Sequence, residues 1–95
     1  MPVIWAPEAR DDLQALYDFI ANDDPNAARV VVDRILTLIE THLPVTPNIG
    51  RPGRIEGTRE LIVAGTPFIL PYRVKDESVE ILRIYHAARR WPSAF

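Results

Sequence analysis

His86, Tyr72, Tyr85 and several arginines are the side chains in this sequence best suited to chemistry on a phosphodiester. Breaking an RNA backbone without a metal needs a base for the 2′-hydroxyl, an acid for the leaving oxygen, and cations around the phosphorane. Histidine titrates near neutrality and fills either proton-transfer role. Arginine clamps phosphate through two parallel donors. His86, Arg59, Arg73 and Tyr72 are the catalytic candidates on that count. The plainer alternative is that His86 ends a strand and hydrogen-bonds locally, and that Tyr72 and Trp91 are core or edge aromatics. Residue types alone leave both open.

Other chemistries find less support. His42 and His86 are the only histidines and lie far apart with no acid-rich loop beside either, whereas a metal site needs three or four converging ligands. No metal and no cofactor is expected. Gly50-Arg51-Pro52-Gly53-Arg54 lacks the spacing and the following helix of a phosphate loop. Cysteine is absent, which excludes a disulfide framework and a thiolate nucleophile.

The elements that must position these residues begin with the C-terminal third. Gly57 to Val63, Thr66 to Val74 and Val79 to His86 are three runs rich in Val, Ile, Phe and Tyr. They are separated at Gly65 and at Lys75-Asp76-Glu77-Ser78, and they read as strands. Connections this short make an antiparallel meander, because parallel pairing needs a long crossover. Arg59, Arg73, Arg83, Arg89 and Arg90 recur on or beside these strands, a cationic surface suited to an anionic partner.

Upstream, Val3-Ile4-Trp5 reads as an edge strand added to this sheet. From Glu8 to Asn22, residues Ala9, Leu13, Leu16, Tyr17 and Ile20 form the stripe of an amphipathic helix. Asp24 is placed as an N-cap and Pro25 as the first residue of a second helix running to about His42. Ala28, Val31, Val32, Ile35, Leu38 and Ile39 form its buried stripe. Leu43 to Glu56, with three prolines and two glycines, reads as a stiff irregular loop rather than a strand. The expected fold is α+β, in the order β-α-α-β-β-β. An N-terminal helical hairpin would pack on one face of a small, mostly antiparallel sheet. The expected core is Leu13, Leu16, Ile20, Val31, Ile35, Leu38, Leu61, Val63, Leu70 and Ile81.

At 95 residues the chain is read as one domain spanning 1–95. No apolar run approaches the roughly 18 residues of a membrane span, and the start lacks a secretory signal pattern, so a cytoplasmic location without membrane contact is the expectation. The net charge of −2 conceals a split. Residues 1–50 hold three arginines against eight acids, while residues 51–95 hold seven arginines and Lys75 against five acids. The helical half and the sheet half therefore present opposite fields.

The motifs in order resemble the RelE/ParE superfamily of bacterial toxins. They are Gly50-Arg51-Pro52-Gly53-Arg54, Gly57-Thr58-Arg59-Glu60-Leu61, Thr66 to Val74, and Ile81 to Arg89, with Asn26-Ala27-Ala28 opening the second helix. The resemblance covers nearly the whole chain. It implies the toxin of a type II toxin–antitoxin pair, held in a hetero-oligomer by an antitoxin that wraps an extended, partly helical tail over it. Two activities share this fold: RelE-like members cut mRNA on the ribosome, and ParE-like members poison DNA gyrase without known hydrolysis. Fold alone does not choose between them.

Residue matching favours the ParE side, for which no hydrolysis is known. Where the nucleases carry an arginine in their aromatic-Arg-Leu-Val-Tyr strand, this chain has Ile69. Their lysine pair falls near Glu60 and Ile62, and a base-like glutamate of related nucleases falls near Gly53. A sequence pI near 5.6 is also a poor start for docking on ribosomal RNA. The resemblance thus implies gyrase contacts through Arg83, His86, Arg89, Arg90 and Trp91, and antitoxin contacts through Arg59, Arg73 and Arg83. The alternatives are a metal-independent endoribonuclease acting on ribosome-bound mRNA, or an inactive relic that only binds its antitoxin and helps repress their promoter.

Overall fold

The computed structural model describes residues 1–95. Strand β1 (Val3–Trp5) leads into helix α1 (Pro7–Ala21) and helix α2 (Pro25–Thr37), followed by strands β2 (Arg51–Pro52), β3 (Arg59–Ile62), β4 (Phe68–Lys75), β5 (Ser78–Ile81) and β6 (Tyr85–His86). The sheet runs β1-β5-β4-β3-β2, with β6 beside the start of β4. Every pairing is antiparallel except β1 with β5. The expected α+β order and the helical hairpin are both present.

Local chemistry accounts for the element ends. The Asp24 carboxylate accepts from the backbone N–H groups of Asn26 and Ala27, each at 3.1 Å, and Pro25 follows as the first helical residue. At the far end the second helix widens into a π-helical turn, Leu38–His42, closed by the Leu43 N–H on the Leu38 carbonyl at 3.0 Å. That turn rotates Ile39 and Leu43 fully into the core. Asp76 and Glu77 both take positive φ, 52° and 58°, which is the backbone a two-residue hairpin turn demands.

Two sequence expectations require correction. The Leu43–Glu56 segment is not wholly irregular, because Arg51 and Pro52 pair with Glu60 and Arg59 as a sixth strand. The run from Val79 to His86 is not one strand. The N–H groups of Leu82 and Arg83 both turn to the Pro71 carbonyl, at 3.0 and 3.4 Å, and the chain rejoins β4 only at Tyr85. The break sets Ile84 into the core and leaves Asp12 to accept its N–H at 3.0 Å.

The core lies between the helical hairpin and one face of the sheet. Leu16, Ile35, Leu61, Val63, Leu70 and Ile81 are buried there as expected. Leu13, Ile20, Val31 and Leu38 sit at its rim, only partly covered. Ala9, Ile39, Leu43, Tyr72, Val79 and Ile84 complete the core cluster.

The Pro/Gly segment is tied down by side chains of β3 and β4. The Tyr72 hydroxyl donates to the Pro47 carbonyl and accepts from the Gly50 N–H, both at 2.8 Å. A Cβ at Gly50 would lie 2.7 Å from that hydroxyl, so only glycine fits. Arg59 donates to the Gly50 carbonyl at 2.8 Å. Glu60, 2% exposed, accepts from the Arg51 guanidinium at 3.1 Å, from the Arg54 backbone N–H at 2.8 Å, and from the Arg54 guanidinium at 3.2 and 3.3 Å. Burial alone would push the Glu60 carboxyl up. The bonds from the Arg54 main chain, the Arg54 side chain and Arg51 outweigh it and hold the group below its ordinary range.

Ile35→Ala should destabilise by about 2–5 kcal/mol in a denaturant titration, the range for a fully buried large-to-small change. Leu38→Ala should cost less, because Leu38 lies at the rim. A larger loss at Leu38 would contradict the packing described. The depressed Glu60 carboxyl adds stability that is present above the unfolded carboxylate value of about 4.3 and is lost as pH falls through the lower folded value. The stability gap between wild type and Glu60→Gln should therefore be widest near neutral pH and close in acid. A gap that widened below about pH 4 would reverse the assignment.

Candidate functional site

Strand alternation divides the interesting residues between two faces. Arg59, Tyr72 and Ile81 share the helix-facing side through the register Arg59↔Tyr72↔Ile81, and Phe68 and His86 share it further along. Glu60↔Pro71, Ile62↔Ile69↔Tyr85 and Arg73↔Glu80 point to the opposite side. The three positions Glu60, Ile62 and Ile69 thus come together on the face away from the helices.

That outer face is not bare. Ile69, Pro71 and Tyr85 are buried on it. The C-terminal residues lie against Tyr85: its ring meets Trp91 edge-on at 5.0 Å and Phe95 at 6.1 Å. Arg89 stands over the same ring at 4.3 Å and Arg83 at 4.7 Å. Trp91 in turn carries the Arg54 guanidinium 3.7 Å above its centroid. The outcome is an aromatic cluster of Tyr85, Trp91 and Phe95 edged by three arginines. Both the Tyr85 hydroxyl and the Trp91 Nε1–H are buried within it without a hydrogen-bond partner.

The four residues considered for proton transfer and charge stabilisation do not converge. His86 faces Phe68 at one end of β4, edge-on at 5.8 Å, and its Nδ1 accepts from the Ala88 N–H at 3.0 Å. Tyr72 lies four residues along the same strand, roughly 13 Å away at strand rise. Its hydroxyl is occupied at both lone pair and proton, and burial pushes it above its ordinary range. Arg59 is engaged with the Gly50 carbonyl, and Arg73 pairs with Glu80 on the other face.

The arginines divide into committed and free. Arg83 makes two parallel bonds to Asp12, at 2.7 and 2.9 Å, which tie the C-terminal segment to α1. Hydrogen bonding to Asp12 is the main cause of its raised value, so it stays charged. Arg89 and Arg90 are exposed and make no ion pair. His86 and Arg89 also line an apolar groove of about 630 Å³ with Phe19, Ile20, Phe68 and Ile84. Phe19 projects from it, 79% exposed.

A second groove, of about 710 Å³, runs between α2 and the far end of β3. Val30, Arg34 and Leu38 line it on the helix side, and Ile62, Val63 and Gly65 on the strand side. Strand β2 covers β3 only at Arg59 and Glu60, so the outer edge of β3 is unpaired from Leu61 onward. Arg34 reaches the Gly65 carbonyl at 3.5 Å across this groove. Arg34 is not among the antitoxin-contact candidates, and helical periodicity carries no signal that a sheet edge lies beside it. No cluster of histidines and carboxylates suited to a metal occurs, and no helix is long and apolar enough to cross a membrane.

Known proteins match this architecture and sequence closely. Residues 3–91 match the family described as the ParE toxin of a type II toxin–antitoxin system, parDE. The Y4kP protein of Sinorhizobium fredii is 46% identical over 88 residues, covering 93% of this chain and 90% of that protein. Toxin RelE2 of Caulobacter vibrioides is 38% identical over 87 residues, covering 92% of this chain and 96% of that protein. A solved chain of the chromosomal ParDE toxin–antitoxin system from P. aeruginosa superposes with a TM-score of 0.81 at 34% identity, over 90% of this chain and 95% of that one. With nearly its whole length matched, the chain belongs to the ParE toxin family of type II toxin–antitoxin systems, within the RelE/ParE superfamily.

Proposed function

We propose that this toxin acts by binding and inhibiting DNA gyrase, and that a cognate antitoxin neutralises it. The observation that carries the first part is the composition of the outer sheet face. The positions where RNA-cutting members of the superfamily hold cations are Glu60, Ile62 and Ile69 here, gathered on one face. Glu60 is already saturated by Arg51 and Arg54, and Ile62 and Ile69 transfer no proton. The cluster of Tyr85, Trp91 and Phe95 occupies the neighbouring surface. His86 would be a lone proton carrier, with its Nδ1 already accepting a bond. In-line cleavage asks for an acid, a base and a charge stabiliser together. Inhibition by binding asks only for a surface, and the unpaired Arg89 and Arg90 beside Trp91 supply one.

The antitoxin reading rests on the groove between α2 and β3. An extended peptide laid there would gain main-chain bonds from the open β3 edge and bury its alternate side chains against Val30, Leu38 and Val63. Its acids would meet Arg34, whereas Arg73 lies away from this groove, paired with Glu80 on the outer face. Arg59 and Arg83 contribute less than sequence reasoning expects, because each already holds an internal partner.

Two measurements test the proposal. Purified toxin should block gyrase supercoiling and leave ribosome-bound mRNA intact. Arg89 and Arg90 changed together to alanine should weaken gyrase inhibition by roughly tenfold or more, the scale of an interface hot spot, with the melting temperature unchanged. His86→Ala should have little effect. Codon-specific mRNA cuts abolished by His86→Ala would overturn the gyrase reading. For the partner, Val30→Glu should reduce antitoxin affinity by roughly tenfold in a titration while gyrase inhibition persists. Unchanged antitoxin affinity would move the binding site elsewhere.

A further inference from the structure

We propose that Arg54, fixed by Glu60, is a positioning residue that clamps the C-terminal segment 91–95 and so sets the place of the Arg89–Arg90 patch. Residues 90–95 make no main-chain hydrogen bond to the rest of the protein; the last such bond is from the Arg89 N–H to the His86 carbonyl at 3.0 Å. The segment is held mainly through its rings. Trp91 touches Tyr85 edge-on at 5.0 Å and receives the Arg54 guanidinium at 3.7 Å, while Phe95 meets Tyr85 more loosely at 6.1 Å. Holding Trp91 there also buries two donors, the Tyr85 hydroxyl and the Trp91 Nε1–H, with no acceptor. Leaving donors unpaired opposes closure, so the Arg54 contact must help to offset it.

Arg54 suits this task because its own orientation is fixed. Its guanidinium bonds both Glu60 oxygens, and its backbone N–H bonds Oε2 as well. A planar cation locked to a buried carboxylate presents a flat face to the indole at small entropic cost. The segment containing Arg54 and the C-terminal segment are thereby joined across the outer sheet face, although far apart in sequence. The inference rests on the gyrase reading for its functional consequence, but the clamp itself does not.

The test uses the full chain with Trp5→Phe as the parent, so that fluorescence reports Trp91 alone. Arg54→Met keeps the backbone bond to Glu60 and removes only the guanidinium. It should shift Trp91 emission to longer wavelength, speed tryptic cleavage after Arg89 and Arg90, and lower gyrase inhibition roughly tenfold, the scale of one partly desolvated cation–π contact. Arg54→Lys should recover part of each effect. Should Arg54→Met not fold, Arg54→Lys alone should show a smaller change in the same direction on all three readouts. Unchanged emission and unchanged cleavage in a folded variant would overturn the clamp. A loosened segment with full gyrase inhibition would overturn the positioning role. If the parent protein itself leaves gyrase untouched, the gyrase reading fails, and emission and cleavage still decide the clamp.

Discussion

The buried carboxylate of Glu60 is the interaction on which the rest of this structure most depends. A charge without solvent is costly unless it is paired and hydrogen-bonded. Here all of its donors come from Arg51 and Arg54. A Pro/Gly-rich segment with little main-chain pairing of its own therefore acquires a fixed course. Tyr72 and Arg59 extend the same device at Pro47 and Gly50, so side chains of two strands do the work that backbone ladders do elsewhere. Both guanidinium partners of Glu60 are about half exposed, at 50% and 45%. The carboxylate is thus sealed from water while its counter-charges remain available at the surface, and Arg54 uses that freedom to stack on Trp91.

Much of the fold was legible because it rests on local signals. Asp24-Pro25 is an N-cap followed by a first-turn proline, and both act as such. Apolar periodicity placed Leu16 and Ile35 in the core, where both are buried. Leu13 and Leu38 belong to the same stripes, yet they lie at the rim, because a stripe gives a direction and not a depth. The short strand at Arg51–Pro52 gave no signal at all. Proline and arginine there look like loop, and only the partner strand and the Glu60 carboxylate make them a ladder. The break after Ile81 was hidden for the opposite reason: Leu82, Ile84 and Tyr85 continue a β-like composition through a stretch that turns both N–H groups to one carbonyl.

The candidate site was less legible than the fold, and the reason is geometric. Sequence reasoning grouped His86, Tyr72, Arg59 and Arg73 by residue type, but their partners are set by strand parity and register. Tyr72 and Arg59 face inward and are used up in bracing the Pro/Gly segment. Arg73 faces outward to Glu80. His86 ends a strand and accepts a local N–H, which is the plainer of the two roles its position allowed. Residue matching singled out Glu60, Ile62 and Ile69 position by position, and the register puts all three on one face. Their joint meaning needed the tertiary partners, above all the two arginines that neutralise Glu60.

The uneven charge of the chain takes on a physical role once the faces are known. The acidic N-terminal half and the cationic C-terminal half are joined by one strong ion pair, Asp12 with Arg83, which also fixes the Ile84 N–H where the sheet breaks. Arg89 and Arg90 make no ion pair, and the segment that follows them is held by aromatic contacts rather than by backbone bonds. The Arg54 guanidinium on Trp91 helps to offset the two unpaired donors that oppose closure, so the patch beside it keeps its place. A rigid sheet thus carries a cationic end braced by ring contacts. That arrangement suits a protein whose proposed action is to bind a larger target through an exposed patch.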